Sequence, residues 1–106
     1  MQFRGGLNEL MRQASRLQRR IDQRREELKS QEFEAAVGGD RVKVVVNGDN
    51  EVLRLVVDPK LVEEEGLEMM QDLVIAATNA ALAKARDTIQ AEIDKVSGGV
   101  KLPGMV

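Results

Sequence analysis

The chain has 106 residues, contains neither cysteine nor histidine, and carries a formal charge of −2. That length argues for one domain. The missing residue types exclude zinc sites, haem ligation through His, nucleophiles built on His or Cys, and disulfides, so neither metal nor cofactor is expected.

Hydrophobic residues make up 42% of the sequence, but ten of them are Ala, two are Phe, and Trp and Tyr are absent. The interior is therefore predicted to be aliphatic. No stretch approaches the ~18 apolar residues that a membrane span needs. Met1-Gln2-Phe3-Arg4 does not resemble a signal peptide, and Gln2 stands where N-myristoylation needs Gly. A soluble cytoplasmic protein without a membrane partner is expected.

Charge is unevenly spread. Residues 1–30 hold seven Arg and Lys29 against four acidic groups, a balance of +4, and the remaining residues sum to −6. Such asymmetry points to an anionic partner for the N-terminal part, where the bland alternative is a solvated helix face.

After a flexible segment over 1–6, apolar residues recur at Leu7, Leu10, Ala14, Leu17, Ile21 and Leu28, three and four apart. This is the seam of a heptad, and it predicts a helix from about Leu7 to Ser30 whose narrow stripe suits pairing with another helix. The missing seam position is Arg24, where the seam is expected to open or meet water. Phe33, Ala35 and Val37 then alternate with Glu32, Glu34 and Ala36, and Gly38-Gly39-Asp40 supplies a turn before Val42–Val46. Asn47-Gly48-Asp49-Asn50-Glu51 forms a second turn leading into Val52–Val57. Three short strands in an antiparallel meander follow, with Val44, Val46, Leu53, Leu55 and Val57 available to face a helical layer.

Asp58-Pro59 ends the third strand and starts a helical turn through Leu61. The acidic run Glu63-Glu64-Glu65 and Glu68 precede a second long helix from Leu67 to Val96, where negative charge suits a helix N-terminus better than a metal or acid–base site. Leu67, Met70, Leu73, Val74, Ala77 and Ala81 form one face of that helix, and Ile75, Leu82, Ile89 and Val96 a second stripe. A three-stranded sheet covers one such face, so a partner subunit is predicted to cover the other. Gly98 and Gly99 end the helix, and 98–106 reads as a short tail.

Arg12, Arg16, Arg19 and Arg20 fall on one polar flank of the first helix, away from its seam. Guanidinium groups in a row match the regularly spaced phosphates of a polymer better than a small anion. Arg19 and Arg25, nearer Asp22, Glu26 and Glu27, are expected to be partly neutralised. In a homodimer the ridge doubles to eight Arg, and about six phosphates contacted at roughly −0.9 each predict a log–log salt slope near −5. Phe3 and Phe33 are too few and too separate to make the stacking platform of a single-strand or RNA binder. Recognition of duplex backbone and shape remains.

Several segments together are similar to the YbaB/EbfC family of small bacterial nucleoid-associated proteins. They are Gly6–Ala14, the Val42–Asn47 strand with Gly48, the Val56-Val57-Asp58-Pro59 junction, Asp72–Ala81, and the Gly98-Gly99 to Leu102-Pro103-Gly104 tail. The resemblance implies an α+β subunit of order α-β-β-β-α and an intertwined homodimer with projecting helical arms. It also implies binding of double-stranded DNA with limited sequence preference, a role in nucleoid organisation and gene regulation, and neither enzymatic activity nor a small-molecule substrate. The family's basic positions would fall on Arg12, Arg16, Arg19 and Arg20, with Lys84, Arg86 and Lys95 of the second long helix in addition. The competing reading is a dimeric protein–protein interaction module whose long helix grips another protein, leaving the Arg ridge as a solvated face.

Overall fold

In the computed structural model, which describes the backbone of residues 2–98 and the side chains of residues 6–98, the elements run α1 (Gln2–Leu28), β1 (Glu32–Val37), β2 (Val42–Asn47), β3 (Val52–Val57), α2 (Lys60–Glu65) and α3 (Leu67–Val96). α1 begins five residues earlier than the seam predicts and passes through Gly5-Gly6, which expected flexibility had placed outside it. Gly costs a helix interior only about 1 kcal/mol relative to Ala, and the flanking strong helix formers carry the pattern across it. The tail over 99–106 lies outside the described residues.

The sheet is an antiparallel meander in the order β1-β2-β3. Phe33 pairs with Val46 and Val37 with Val42, and across the other ladder Val42 faces Val57 and Val44 faces Leu55. Three successive residues of the first turn, Gly38, Gly39 and Asp40, have φ near +65°. That conformation favours glycine, and Asp tolerates it because its short side chain bonds locally. Period-two alternation puts Phe33, Ala35, Val37, Val42, Val44 and Val46 on one side of the sheet, and α3 lies across that side over β1 and β2. Ala77, Ala81 and Ala85 are fully buried there, spaced four apart, so the helix comes close to the sheet where no larger side chain would fit. Leu61 of α2 completes the same aliphatic core.

On the opposite side of the sheet Arg54 of β3 reaches over β2 to pair with Glu32 of β1. The span explains why Val45, which points away from the core, is still only 9% exposed. β3 departs from expectation. Leu55 lies opposite Val44 on the inner side of the sheet but remains half exposed, because α3 crosses only β1 and β2; Leu53, also half exposed, falls at a register shift in the ladder opposite Val45 and Val46.

The acidic run also falls differently: Glu63, Glu64 and Glu65 belong to α2 itself, and Gly66, at φ +91°, separates α2 from α3. Asp58 accepts a hydrogen bond from the Lys60 amide (3.0 Å) and pairs with Arg41, whose guanidinium also holds Glu64 at 2.7 Å. Arg41 thus fastens the start of β2 to the β3–α2 junction. The Lys60 amide is the main reason that the Asp58 carboxyl is held below its usual range, with Arg41 adding to it.

Candidate nucleic-acid interface

α1 is about 40 Å long at 1.5 Å per residue, and the molecule extends 78 × 24 × 16 Å. Burial along the seam is graded. Leu28 is buried, Arg24, Ile21 and Leu17 are half-buried, and Leu10 and Leu7 are 64% and 59% exposed. The C-terminal half of α1 therefore packs on α3 while its N-terminal half projects past the body as an arm. The root of the arm is fixed by close approach: a Cβ at Gly48 would lie 1.9 Å from the Leu28 carbonyl oxygen, and the Gly48 amide donates to the Lys29 carbonyl at 3.1 Å. No residue but glycine fits that contact without displacing backbone.

At the vacant seam position the structure corrects the sequence. Arg24 does not open the seam to water; it donates to Glu92 of α3 at 3.1 Å and to Glu27 at 3.0 Å, closing the line with an ion pair. The pairing with Glu92 is the chief cause that lifts the Arg24 guanidinium further above its usual value, and reciprocally the Arg24 hydrogen bond is what most depresses the Glu92 carboxyl. Along α3's second stripe Leu82 and Ile89 are half-buried against the core, while Ile75 is 60% exposed.

Arg12, Arg16, Arg19 and Arg20 are all exposed along α1, the first two on the arm and the last two where the helix meets the body. A helix turns about 100° per residue, which puts Arg12, Arg16 and Arg19 on the side of α1 opposite Leu7, Leu10 and Ala14, with Arg20 at the margin. A shallow trough along this flank is lined by Asn8, Met11, Arg12, Ser15, Arg16 and Arg19. Arg12 makes a loose 3.7 Å pair with Glu9, one turn earlier, an acid the sequence reading passed over. Arg19 and Arg25 escape the neutralisation expected for them, because the acids are taken elsewhere. Asp22 accepts from Gln18 (2.9 Å), Glu26 pairs with Lys29 (2.9 Å) and Glu27 with Arg24. Among the described residues Arg16, Arg19, Arg20 and Arg25 have no carboxylate partner.

The three basic candidates of α3 divide. The Lys84 ammonium donates to the Glu34 carbonyl of β1 at 3.2 Å, and Lys95 sits 3.4 Å from Glu92, so both serve contacts within the chain. Arg86 stands with Arg25 over a groove of about 460 Å³ at the arm root, floored by Leu82 and Ile89 and edged by Asn50 and Gln90. The sequence reading missed Arg25 as an available cation. The signal that finds it is the i,i+3 spacing of Glu26 with Lys29 and of Arg24 with Glu27, which engages the acids around it.

Comparison with known proteins decides what this arrangement belongs to. The model of the YbaB/EbfC DNA-binding family matches residues 3–100. The chain belongs to that family. A relative from Clostridium kluyveri is 40% identical over 95% of this chain and 89% of its own length, and one from Myxococcus xanthus is 41% identical over 93% and 94%; both are named nucleoid-associated protein. Among solved structures, an uncharacterized protein from Helicobacter pylori shares the fold with a TM-score of 0.65 at 24% identity, covering 79% of this chain and 88% of that one. YbaB/EbfC members form a DNA-binding family, not an enzyme family. Among the described residues of this member there is no cluster of potential metal ligands, and no helix is long and apolar enough to cross a membrane.

Proposed function

We propose that the protein is a nucleoid-associated factor that binds duplex DNA as a homodimer, chiefly through the phosphate backbone, and so takes part in nucleoid organisation and gene regulation in the cytoplasm. The observation that carries the reading is a row of four exposed guanidiniums along a helix whose N-terminal half projects past the body, with only one of them near a carboxylate among the described residues. Guanidinium pairs with phosphate through parallel N–H donors, and each phosphate contact releases counterions, so such a row converts directly into salt-sensitive affinity without base reading. Arg12, Arg16, Arg19 and Arg20 are the principal contacts. Arg86 extends them at the arm root, where Arg25 joins it, and Lys84 and Lys95 contribute less because each already serves an internal contact. The whole chain acts as one DNA-binding domain.

The homodimer is supported by apolar surface that the described residues leave uncovered on the body: Leu53 and Leu55 on β3, and Ile75 on α3. A subunit this small seldom exposes so much aliphatic surface without a partner. Sedimentation of the full chain is expected to give a dimer, and Leu55→Glu together with Ile75→Glu to give a monomer.

The decisive experiment is an electrophoretic shift titrated with salt on unrelated duplexes. The native chain is expected to bind them with similar affinity and a log–log slope of about −5. Replacing Arg12, Arg16, Arg19 and Arg20 together by Gln is expected to weaken binding more than about 100-fold and to flatten the slope to about −1. Unchanged affinity in that variant eliminates the reading in favour of a protein–protein module.

A further inference from the structure

The arm carries two unlike surfaces, and only one of them suits DNA. Opposite the arginine ridge lie Leu7 and Leu10, exposed by 59% and 64%, and Ala14, also exposed, on a helix end that no other described element covers. They continue, without a break in spacing, the same seam that buries Leu28 and half-buries Ile21 and Leu17 against α3. The contact with α3 ends because α3 ends at Val96; the seam does not. A heptad stripe is shaped to receive another helix, since its side chains enter the holes of a facing stripe with the same three–four spacing. Phosphate offers nothing to these leucines.

We infer that the distal seam of α1 docks on the same seam of a second copy, so that two arms pair with their arginine ridges facing outwards and hold two separate duplex segments together. The pairing is self-complementary, as a twofold contact requires. It keeps the two rows of guanidinium groups on opposite sides of the helix pair, where their mutual repulsion is weakest. The strip spans only about two helical turns, far less than the ~1,000 Å² that a lasting interface buries. It therefore acts where copies are crowded along one polymer and the effective concentration is high. Residues 99–106 are a poorer occupant, because Gly98-Gly99 and Pro103-Gly104 interrupt any helical ladder of apolar side chains. Bridging, though not the pairing itself, rests on the DNA-binding reading.

The chain has no cysteine, so a single introduced thiol reports the contact cleanly. In the full chain Leu10→Cys is expected to form an oxidised disulfide between copies about 5-fold more readily than Ser15→Cys on a different flank, since the bond needs Cα atoms within about 7 Å, and a long duplex is expected to raise the yield. A second variant, Leu7→Gln with Leu10→Gln, preserves helix propensity. It is expected to keep native affinity and salt slope on a short duplex, yet to lose about 5-fold or more in the capture of free duplex by bead-held duplex. Equal disulfide yields at the two positions, or undiminished capture by the double variant, overturns the inference. A chain ending at Gly98 that gains the Leu10→Cys cross-link absent from the full chain overturns it in favour of the tail. Failure of short-duplex binding by the native chain is a separate result: it removes the DNA-binding reading and bridging, while the cross-link still judges the pairing.

Discussion

The proximal and distal halves of α1 carry one continuous heptad pattern and exposed arginine, yet they do different work. From Leu17 to Leu28 the seam is covered by α3, the vacant position is filled by an ion pair, and the nearby acids are engaged within the helix. From Leu7 to Arg16 the seam meets no other described element, and among the described residues a single glutamate serves the arginines there. The difference comes from where α3 stops. A periodic pattern states that a face wants cover; the length of the neighbouring element decides how much of that face receives it.

The largest effect that separates body from arm is expected at Leu61, which is 1% exposed between α2 and the sheet. Leu61→Ala removes buried methyl groups and leaves a cavity, a change that costs about 2 to 5 kcal/mol in comparable cores. Urea unfolding is expected to show that loss. Duplex affinity measured well below the new midpoint is expected to stay native, because no phosphate contact depends on the core once it is folded. A large fall in affinity at full folding would show that the two regions are not separable.

Next comes the joint between them. Gly48→Ala forces a methyl group into the Leu28 carbonyl, and since the obstacle is backbone it cannot rotate aside. Overpacking of this kind costs about 1 to 3 kcal/mol. Hydrogen exchange is expected to show the proximal half of α1 loosened relative to β2, with duplex affinity lowered by misplacement of the arm even though every arginine remains.

Much of this division is legible in the residues. The spacing of Leu7 to Leu28 locates the long helix, alternation over Phe33–Val37 and Val42–Val46 locates two strands, and the arginine steps locate the ridge. Three features are not legible, and each depends on a residue distant in the chain. Whether Arg24 is a flaw in the seam turns on Glu92, 68 positions later. Whether Leu55 is core turns on the breadth of α3, which spans two strands and not three. Whether Lys84 is free turns on a β1 carbonyl. Local pattern fixes which atoms are available, and tertiary contact decides which of them are already used.

The smallest effect concerns that Arg24–Glu92 pair and is read through pH. The Glu92 carboxyl is depressed below the ordinary glutamate value by its hydrogen bond from Arg24 first, then by Lys95. A depressed acid binds its proton less readily in the folded state than in the unfolded chain, so its contribution is complete above the unfolded glutamate pKa and is lost as pH falls through the lower folded value. Arg24 stays charged throughout, so the carboxylate alone sets the window. The pair is solvent-accessible and screened by salt, so the change is expected to be modest. The proximal half of α1 is therefore expected to exchange its amides faster relative to β2 as the solution is acidified through and below the usual carboxylate range. Glu92→Gln is expected to show the looser proximal helix already at neutral pH and to lose the acid-dependent step there. Asp58, also depressed, is expected to keep its own step at the β3–α2 junction in the variant. An acid step in α1 that persists unchanged in Glu92→Gln would mean that the closed seam is held by its apolar residues alone.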